Sequence, residues 1–334
     1  MTPTDHTWLA QRVKIRGTAI PRLFREDYES RSARVVCAAA LLIAALSSSA
    51  DALAQDLTPR TYWPAPRGTQ LVVFGYAHQT GDVVTDPSIP ITGVDSTIDS
   101  AVLAFQQTID LFGRTGNIQF ELPYVDGTTT GMVSDVPGRR DIAGIGDVAA
   151  TLTINLLGAP SMSPAEFQAM RQSPQPILGA SIKVLAPTGD YEADKLINIG
   201  TNRWAVRFQL GYIRPLTPKW LLEVSAGAWF FEDNDEFLGE TRKQDPIGAL
   251  NVHVVRRFRP GFWASLDLNY YVGGHTTVGD DRNADLQRNS RLGLSLAYPF
   301  RRRHAVKLGI SEGVVTESGG DFRTITFNYV YLIR

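Results

Sequence analysis

The sequence predicts an all-β protein: a transmembrane, antiparallel, up-and-down β-barrel of about twelve strands behind a cleaved amino-terminal signal peptide. Three observations carry that reading. Apolar and polar residues alternate in segments of about ten residues, the length and period of a strand that crosses a bilayer. The connections between segments are short and long by turns. The only unbroken apolar stretch of note, Val35 to Leu46, is too short to cross a bilayer as a helix.

That stretch reads as the core of a signal peptide. Arg31 and Arg34 precede it, Ser47-Ser48-Ser49 follow, and Ala52-Leu53-Ala54 supplies the small-x-small pattern that a signal peptidase accepts. Cleavage is placed after Ala54. Residues 1–54 are then an extended leader and signal peptide, and 55–334 form the barrel, with Gln55 as the mature start. A buried core helix is the alternative for Val35–Leu46, and the flanks argue against it. Residues 1–30 make a long n-region, either an extended leader or the product of an upstream start codon. The single cysteine, Cys37, falls inside the signal core, so the mature chain has none. That suits an oxidising envelope compartment.

Of 33 basic and 34 acidic side chains, seven and five lie within residues 1–54. The mature part keeps 26 and 29, a net charge of −3. Such a balance gives no support to a nucleic-acid partner, which calls for a basic excess on one face.

The alternation is clearest from Phe262 to Val272. Phe262, Ala264, Leu266, Leu268, Tyr270 and Val272 share one face; Ser265, Asp267 and Asn269 share the other. Residues 219–231 and 291–300 repeat the pattern. Strands are expected near 69–79, 100–112, 117–125, 145–157, 176–187, 203–214, 219–231, 246–258, 262–272, 291–300, 304–313 and 323–333. Gly113–Gly116, Pro215–Pro218, Arg259–Gly261 and Arg301–Arg303 are tight turns. Residues 80–99, 126–144, 188–202, 232–245, 273–290 and 314–322 are long polar loops. Short periplasmic turns opposite long external loops mark a barrel. Residues 158–175 break the rule and hold a helical piece, Pro164 to Met170, read as a small periplasmic excursion.

A soluble β-sandwich also alternates. Against it, the polar faces here are rich in Gly, Ser, Thr, Asn and Gln instead of mixed charge. Aromatics also gather near strand ends, as interfacial girdles do: Tyr62, Trp63, Tyr124, Trp204, Trp220, Trp229, Phe230, Phe231, Phe262, Trp263, Tyr270, Tyr271, Tyr329 and Tyr331.

One ordered set of residues resembles a known family. Leu185-Ala-Pro-Thr-Gly-Asp-Tyr191 leads into Asn198-Ile-Gly-Thr-Asn-Arg-Trp204. Gln244-Asp-Pro246, Gly261-Phe-Trp-Ala-Ser-Leu-Asp267, Tyr270-Tyr-Val-Gly-Gly274 and Gly319-Gly-Asp-Phe322 follow. Over most of 69–334 their order and spacing resemble the outer-membrane transporters of meta-pathway phenol degradation. The resemblance implies a Gram-negative outer-membrane barrel and passive uptake of small aromatic or hydrophobic compounds. Its partners would be that solute, outer-membrane lipid and lipopolysaccharide, and the barrel assembly machinery. Members of such families usually finish on Phe or Trp; this chain ends Tyr331-Leu-Ile333-Arg334, with Arg334 read as one overhanging residue.

With the apolar face toward lipid, the lumen receives charges of both signs. Asp110, Glu121, Asp147, Lys183, Arg207, Glu223, His253, Asp267, Arg291 and Lys307 are the candidate lumen-lining residues. They brace a narrow lumen, form a ladder that orients a permeating solute, or do both. No cofactor or metal is expected. The loop acids Asp233, Asp235, Glu236, Asp280, Asp281 and Asp285 lack the ordered spacing of a calcium loop and read as solvated charge. The enzymatic alternative is a phospholipase-type barrel with a Ser–His–Asn set on the outer wall, but His253 and Asn251 fall on the lumen face. A closed structural barrel is the other. Amino-terminal sequencing of the envelope form is expected to start at or near Gln55; a mature chain keeping Val35–Leu46 would overturn the assigned signal.

Overall fold

Period-2 alternation becomes a closed wall. In a computed structural model, described for residues 57–84 and 91–334, the elements run in chain order as follows. They are β1 (Gln70–Val84), β2 (Ile91–Leu111), β3 (Arg114–Val133), β4 (Val136–Ile145), β5 (Ala149–Leu157), helix α1 (Pro164–Gln172), β6 (Ile177–Leu185) and β7 (Ala205–Thr217). Next come β8 (Trp220–Phe231), β9 (Asn234–Phe237), β10 (Glu240–Gln244), β11 (Ile247–Arg259), β12 (Phe262–Gly273) and β13 (Thr276–Val278). The chain finishes with β14 (Asp281–Arg282), β15 (Gln287–Arg301), β16 (His304–Val315) and β17 (Gly319–Leu332). The expected signal core, its cleavage site and Cys37 lie outside the described residues.

The wall is β1-β2-β3-β5-β6-β7-β8-β11-β12-β15-β16-β17, every neighbour antiparallel, and β1 pairs with β17 to close it. That seam runs from Leu71↔Leu332 to Val84↔Gly319. Two more bonds extend it: Ile333 N donates to Gln70 O (2.9 Å) and Gln70 N to Arg334 O (3.0 Å). Arg334, expected to overhang, is therefore tied into the ladder by its carbonyl. Closure leaves no edge strand in the hydrocarbon, where an unpaired backbone group costs several kcal/mol.

The apolar faces point outward. Phe208, Leu210, Leu266, Leu294, Ile310 and Ile325 are exposed on the wall, while their sequence neighbours Gln209, Asp267 and Ser295 are buried inside. An exposed apolar belt of this extent is a lipid surface. Outward aromatics gather at the short-turn end, where Phe262 lies 4.6 Å from Phe258 and 5.3 Å from Tyr298, and Tyr329 lies 6.4 Å from Phe74. Six of the expected girdle aromatics turn inward instead. Trp229, Phe231, Trp263 and Tyr271 share the strand parity of Glu223 and Asp267, and Tyr62 and Trp63 precede the first strand.

The strands overrun their expected limits. β2 and β3 reach into the segments expected as loops, because the lost apolar period there (Thr128-Thr129-Thr130 against Thr97-Ser96-Asp95) does not lower β-propensity. The span expected as one strand, 145–157, divides. Ile145 ends β4, which pairs with the outer half of β3, and β5 pairs with its inner half. Two long loops also hold a small sheet, β14-β13-β10-β9. The turn at Phe112-Gly113 has positive φ at both residues (55° and 76°), the twist a two-residue hairpin requires. α1 begins at a capping box, Ser163 with Glu166, and has Pro164 in its first turn. It packs Phe167 and Met170 against the short-turn end of the lumen.

Leu266→Arg, on the lipid face of β12, is expected to cost about 2–4 kcal/mol near the midplane. Equilibrium unfolding from vesicles measures that loss, and a neutral result would remove the outward assignment.

Candidate functional site

The lumen is where sequence and fold meet, and its largest occupant precedes β1. Gly68 N donates to Thr108 O (2.9 Å) and Arg67 N to Met162 O (2.8 Å) at the short-turn end. From there the preceding residues run up inside the barrel. Tyr62 is buried, with its hydroxyl bonded to Ser181 Oγ (3.0 Å) and Gln209 Oε1 (2.9 Å). Its ring lies on Gly179 and Gly211 of the paired strands β6 and β7, where any Cβ would collide with it. Gly293 makes the same room for Leu57. Arg60 adopts positive φ (71°), donates its N–H to Glu223 Oε2 (2.7 Å) and stacks its guanidinium 4.6 Å from the Trp63 ring.

This segment divides the lumen into layers. Toward the short turns, Tyr62, Met162, Ile177, Ile213, Leu221 and Val255 form an apolar plug, backed by Trp63, Trp263 and α1. Toward the loops, Ala149, Leu185, Trp229, Ile247 and Tyr271 form a second apolar layer. The polar belt lies between them, and most of the expected residues meet there.

Lys183 Nζ on β6 sits 2.6 Å from Glu121 Oε2 on β3, across the intervening β5. Arg207 stacks over Trp229 at 5.1 Å. Glu223, His253 and Asp267 form one row across β8, β11 and β12, and Ser295 of β15 reaches it from two residues off register. His253 Nδ1 pairs with Asp267 Oδ1 (2.8 Å), and Ser295 donates to Asp267 Oδ2 (2.8 Å). Asp267 is 0% exposed. A buried carboxylate is tolerated only when its oxygens are satisfied, and this row does that. His253 and Ser295 thus bond opposite oxygens of one carboxylate, with Asp267 between them. Arg291 donates to Phe322 O (2.7 Å), Thr324 Oγ1 (3.0 Å) and Ser311 Oγ (3.3 Å).

Three residues stand apart from the belt. Asp110 is at the short-turn mouth, accepting from Gly113 N (2.8 Å). Asp147 is buried in the wall, where it accepts from Thr188 N, Gly189 N, Thr201 N and Thr201 Oγ1 at 2.7–3.1 Å. It fastens the loop between β6 and β7, which takes the place of a strand beside β4: Asp190 N donates to Ile145 O (2.8 Å) and Gly200 N to Asp190 O (2.8 Å). Lys307 faces the lumen from β16, half-buried and without an ion pair among the described residues.

Among the loop acids, Asp285 is buried, unlike the solvated charge expected of it. It accepts from Thr276 N (2.9 Å) and Thr276 Oγ1 (2.6 Å), and burial pushes its carboxyl above the usual range. No cluster of three metal-ligating side chains occurs among the described residues.

Burial is lopsided around the lumen. Most inward side chains of β11, β12 and β15 are covered, whereas Lys307, Thr326, Asn328, Gln79 and Gln106 on β16, β17, β1 and β2 stay half-exposed, beside buried Ser311, Phe322, Thr324, Ala104 and Thr108. The least covered inward side chains of the belt therefore lie along the β16-β17-β1-β2 wall.

A family model described as "Putative MetA-pathway of phenol degradation" matches residues 74–329. The chain belongs to that family. Its fold is that of an outer-membrane channel from Pseudomonas putida F1, similar over 83% of this chain and 100% of the other at 23% identity and a TM-score of 0.71. The transport unit of the autotransporter AIDA-I from Escherichia coli aligns over 84% and 93% at 10% identity and a TM-score of 0.47. The Pseudomonas putida toluene transporter aligns over 87% and 96% at 10% identity and 0.42. No curated protein sequence matches the chain.

Sequence reasoning missed Arg60, Tyr62 and Trp63 as lumen residues. The available signal was glycine at inward-facing strand positions, Gly179, Gly211 and Gly293, which marks close approach by another group. Gly211→Val, and separately Tyr62→Ala, are expected to loosen the segment and raise single-channel conductance severalfold with the barrel intact. Unchanged conductance in both would show that the segment does not obstruct the lumen.

Proposed function

We propose that this protein is an outer-membrane channel for passive entry of small, largely hydrophobic or aromatic solutes. The observation that carries this reading is the strip of half-exposed inward side chains on β16, β17, β1 and β2, mostly small or neutral polar, within a barrel of this family; they would wall a passage beside the amino-terminal segment. A uniform ring of one charge, as in an ion-selective filter, is not its pattern.

The buried charges take the bracing role weighed from the sequence. Glu223 and Asp267 sit behind the inserted segment, and Lys183 is held by Glu121. The passage is left to orient solutes with few groups of its own. An enzyme of the phospholipase type would need its nucleophile on the outer wall, whereas Ser295, His253 and Asp267 meet inside. In this reading the outer belt contacts lipid and lipopolysaccharide, the last strand engages the assembly machinery, and both termini face the periplasm. Cleavage after Ala54 would leave the mature chain starting close to the segment that enters the lumen.

Gram-negative cells expressing the chain are expected to take up labelled aromatic solutes such as benzoate and benzyl alcohol faster than cells lacking it. Equal uptake with and without the chain, for both solutes, would favour the closed structural barrel.

A further inference from the structure

Lumen charge is distributed as unevenly as burial. The inward faces of β15, β16, β17 and β1 carry two cations, Arg291 and Lys307, and no carboxylate. The belt acids stand elsewhere: Glu121 on β3, Glu223 on β8 and Asp267 on β12, each held by a partner named above. Arg291 is buried and donates to oxygens of Phe322, Thr324 and Ser311. Lys307 is different. It is half-exposed toward the passage, and no acid lies within ion-pair distance among the described residues.

The surroundings of Lys307 suit an amphiphilic ligand. Asn328 lies opposite it on β17, with Gly75 next in line on β1 and Val102 beyond on β2. The Asn328 carboxamide leans over Gly75, and the Thr326 hydroxyl leans over Gly309. A cation and two neutral polar groups thus border a wall of small residues that includes Ala77 and Val102. Ala77 and Val102 offer small apolar surface beside those two groups, and a half-exposed ammonium with no acid at ion-pair distance among the described residues favours a ligand that brings one.

Resting on the transport reading above, we infer that Lys307 is a specificity-determining residue that selects small organic anions, with aromatic carboxylates as the fitting class. The carboxylate meets the Lys307 ammonium and the Asn328 amide, and the ring lies along the small-residue wall.

The test compares chain-dependent uptake of labelled benzoate and benzyl alcohol at neutral pH, where the carboxylate is ionised. Wild type is expected to favour benzoate by about fivefold, the size of effect a partly screened charge pair supports. Lys307→Gln should bring the ratio near one while benzyl alcohol uptake and heat-modifiable folding persist, and Lys307→Arg should restore it. If neither solute shows chain-dependent uptake, the transport reading itself fails. Equal handling of the two by wild type overturns only the role of Lys307, and this arm holds even if the glutamine variant does not fold. A benzoate preference retained in a folded Lys307→Gln barrel overturns it as well.

Discussion

A chain that crosses hydrocarbon as strands must satisfy every backbone N–H and C=O within the wall, and only a closed ladder does so. Closure here rests on one long seam, β1 against β17, continued past the last strand by the bonds between Gln70, Ile333 and Arg334. The rest follows from that seam. Once the ring is shut, strand parity sends every second residue inward, so the lumen receives whatever polar side chains the lipid face cannot hold. Charges placed there must then find partners in a space of low polarity. Glu121 with Lys183, and His253 with Asp267, answer that demand within the wall.

Glu223 finds its partner outside the wall, in the backbone N–H of Arg60. The inserted segment thereby joins polar satisfaction to packing. Tyr62 fills the hollow over two glycines and closes the hydrogen bonding of Ser181 and Gln209 with one hydroxyl. One side of the lumen becomes a packed interior and the other is less fully covered. An amphipathic side chain such as tyrosine suits this boundary, because its ring packs while its tip bonds.

The barrel was legible because its signal, period-2 alternation, has the same physical cause as its fold. Leu266 reads as lipid-facing and Asp267 as inward for that reason alone. Strand limits were less legible: beyond the membrane rim both faces are polar, and Thr128 or Ser96 gives no contrast to read. Unbroken alternation makes 145–157 read as one strand, which puts Asp147 with the lumen residues. In the structure it falls in the break between β4 and β5 and serves the 188–201 loop. The inserted segment was invisible for a different reason. Arg60 to Trp63 lack any period, and the aromatic residues counted toward interfacial girdles do not announce which side of a wall they occupy. Only the inward glycines hinted at it, and a single glycine has too many uses to be decisive.

Because the segment ahead of β1 is continuous with the first strand of the seam, its position constrains the order in which the molecule can be built. Tyr62 is enclosed by β6 and β7 on one side, and α1 packs across the mouth through which it would have to pass. Threading an aromatic, arginine-bearing segment through that mouth after the ring has shut would mean stripping water from Arg60 with no carboxylate yet beside it. Seating it first, on a still-open sheet that already presents Glu223, avoids that barrier. The amino-terminal segment is then less an obstruction added to a finished pore than a mandrel, around which the last pairing of the wall is drawn closed.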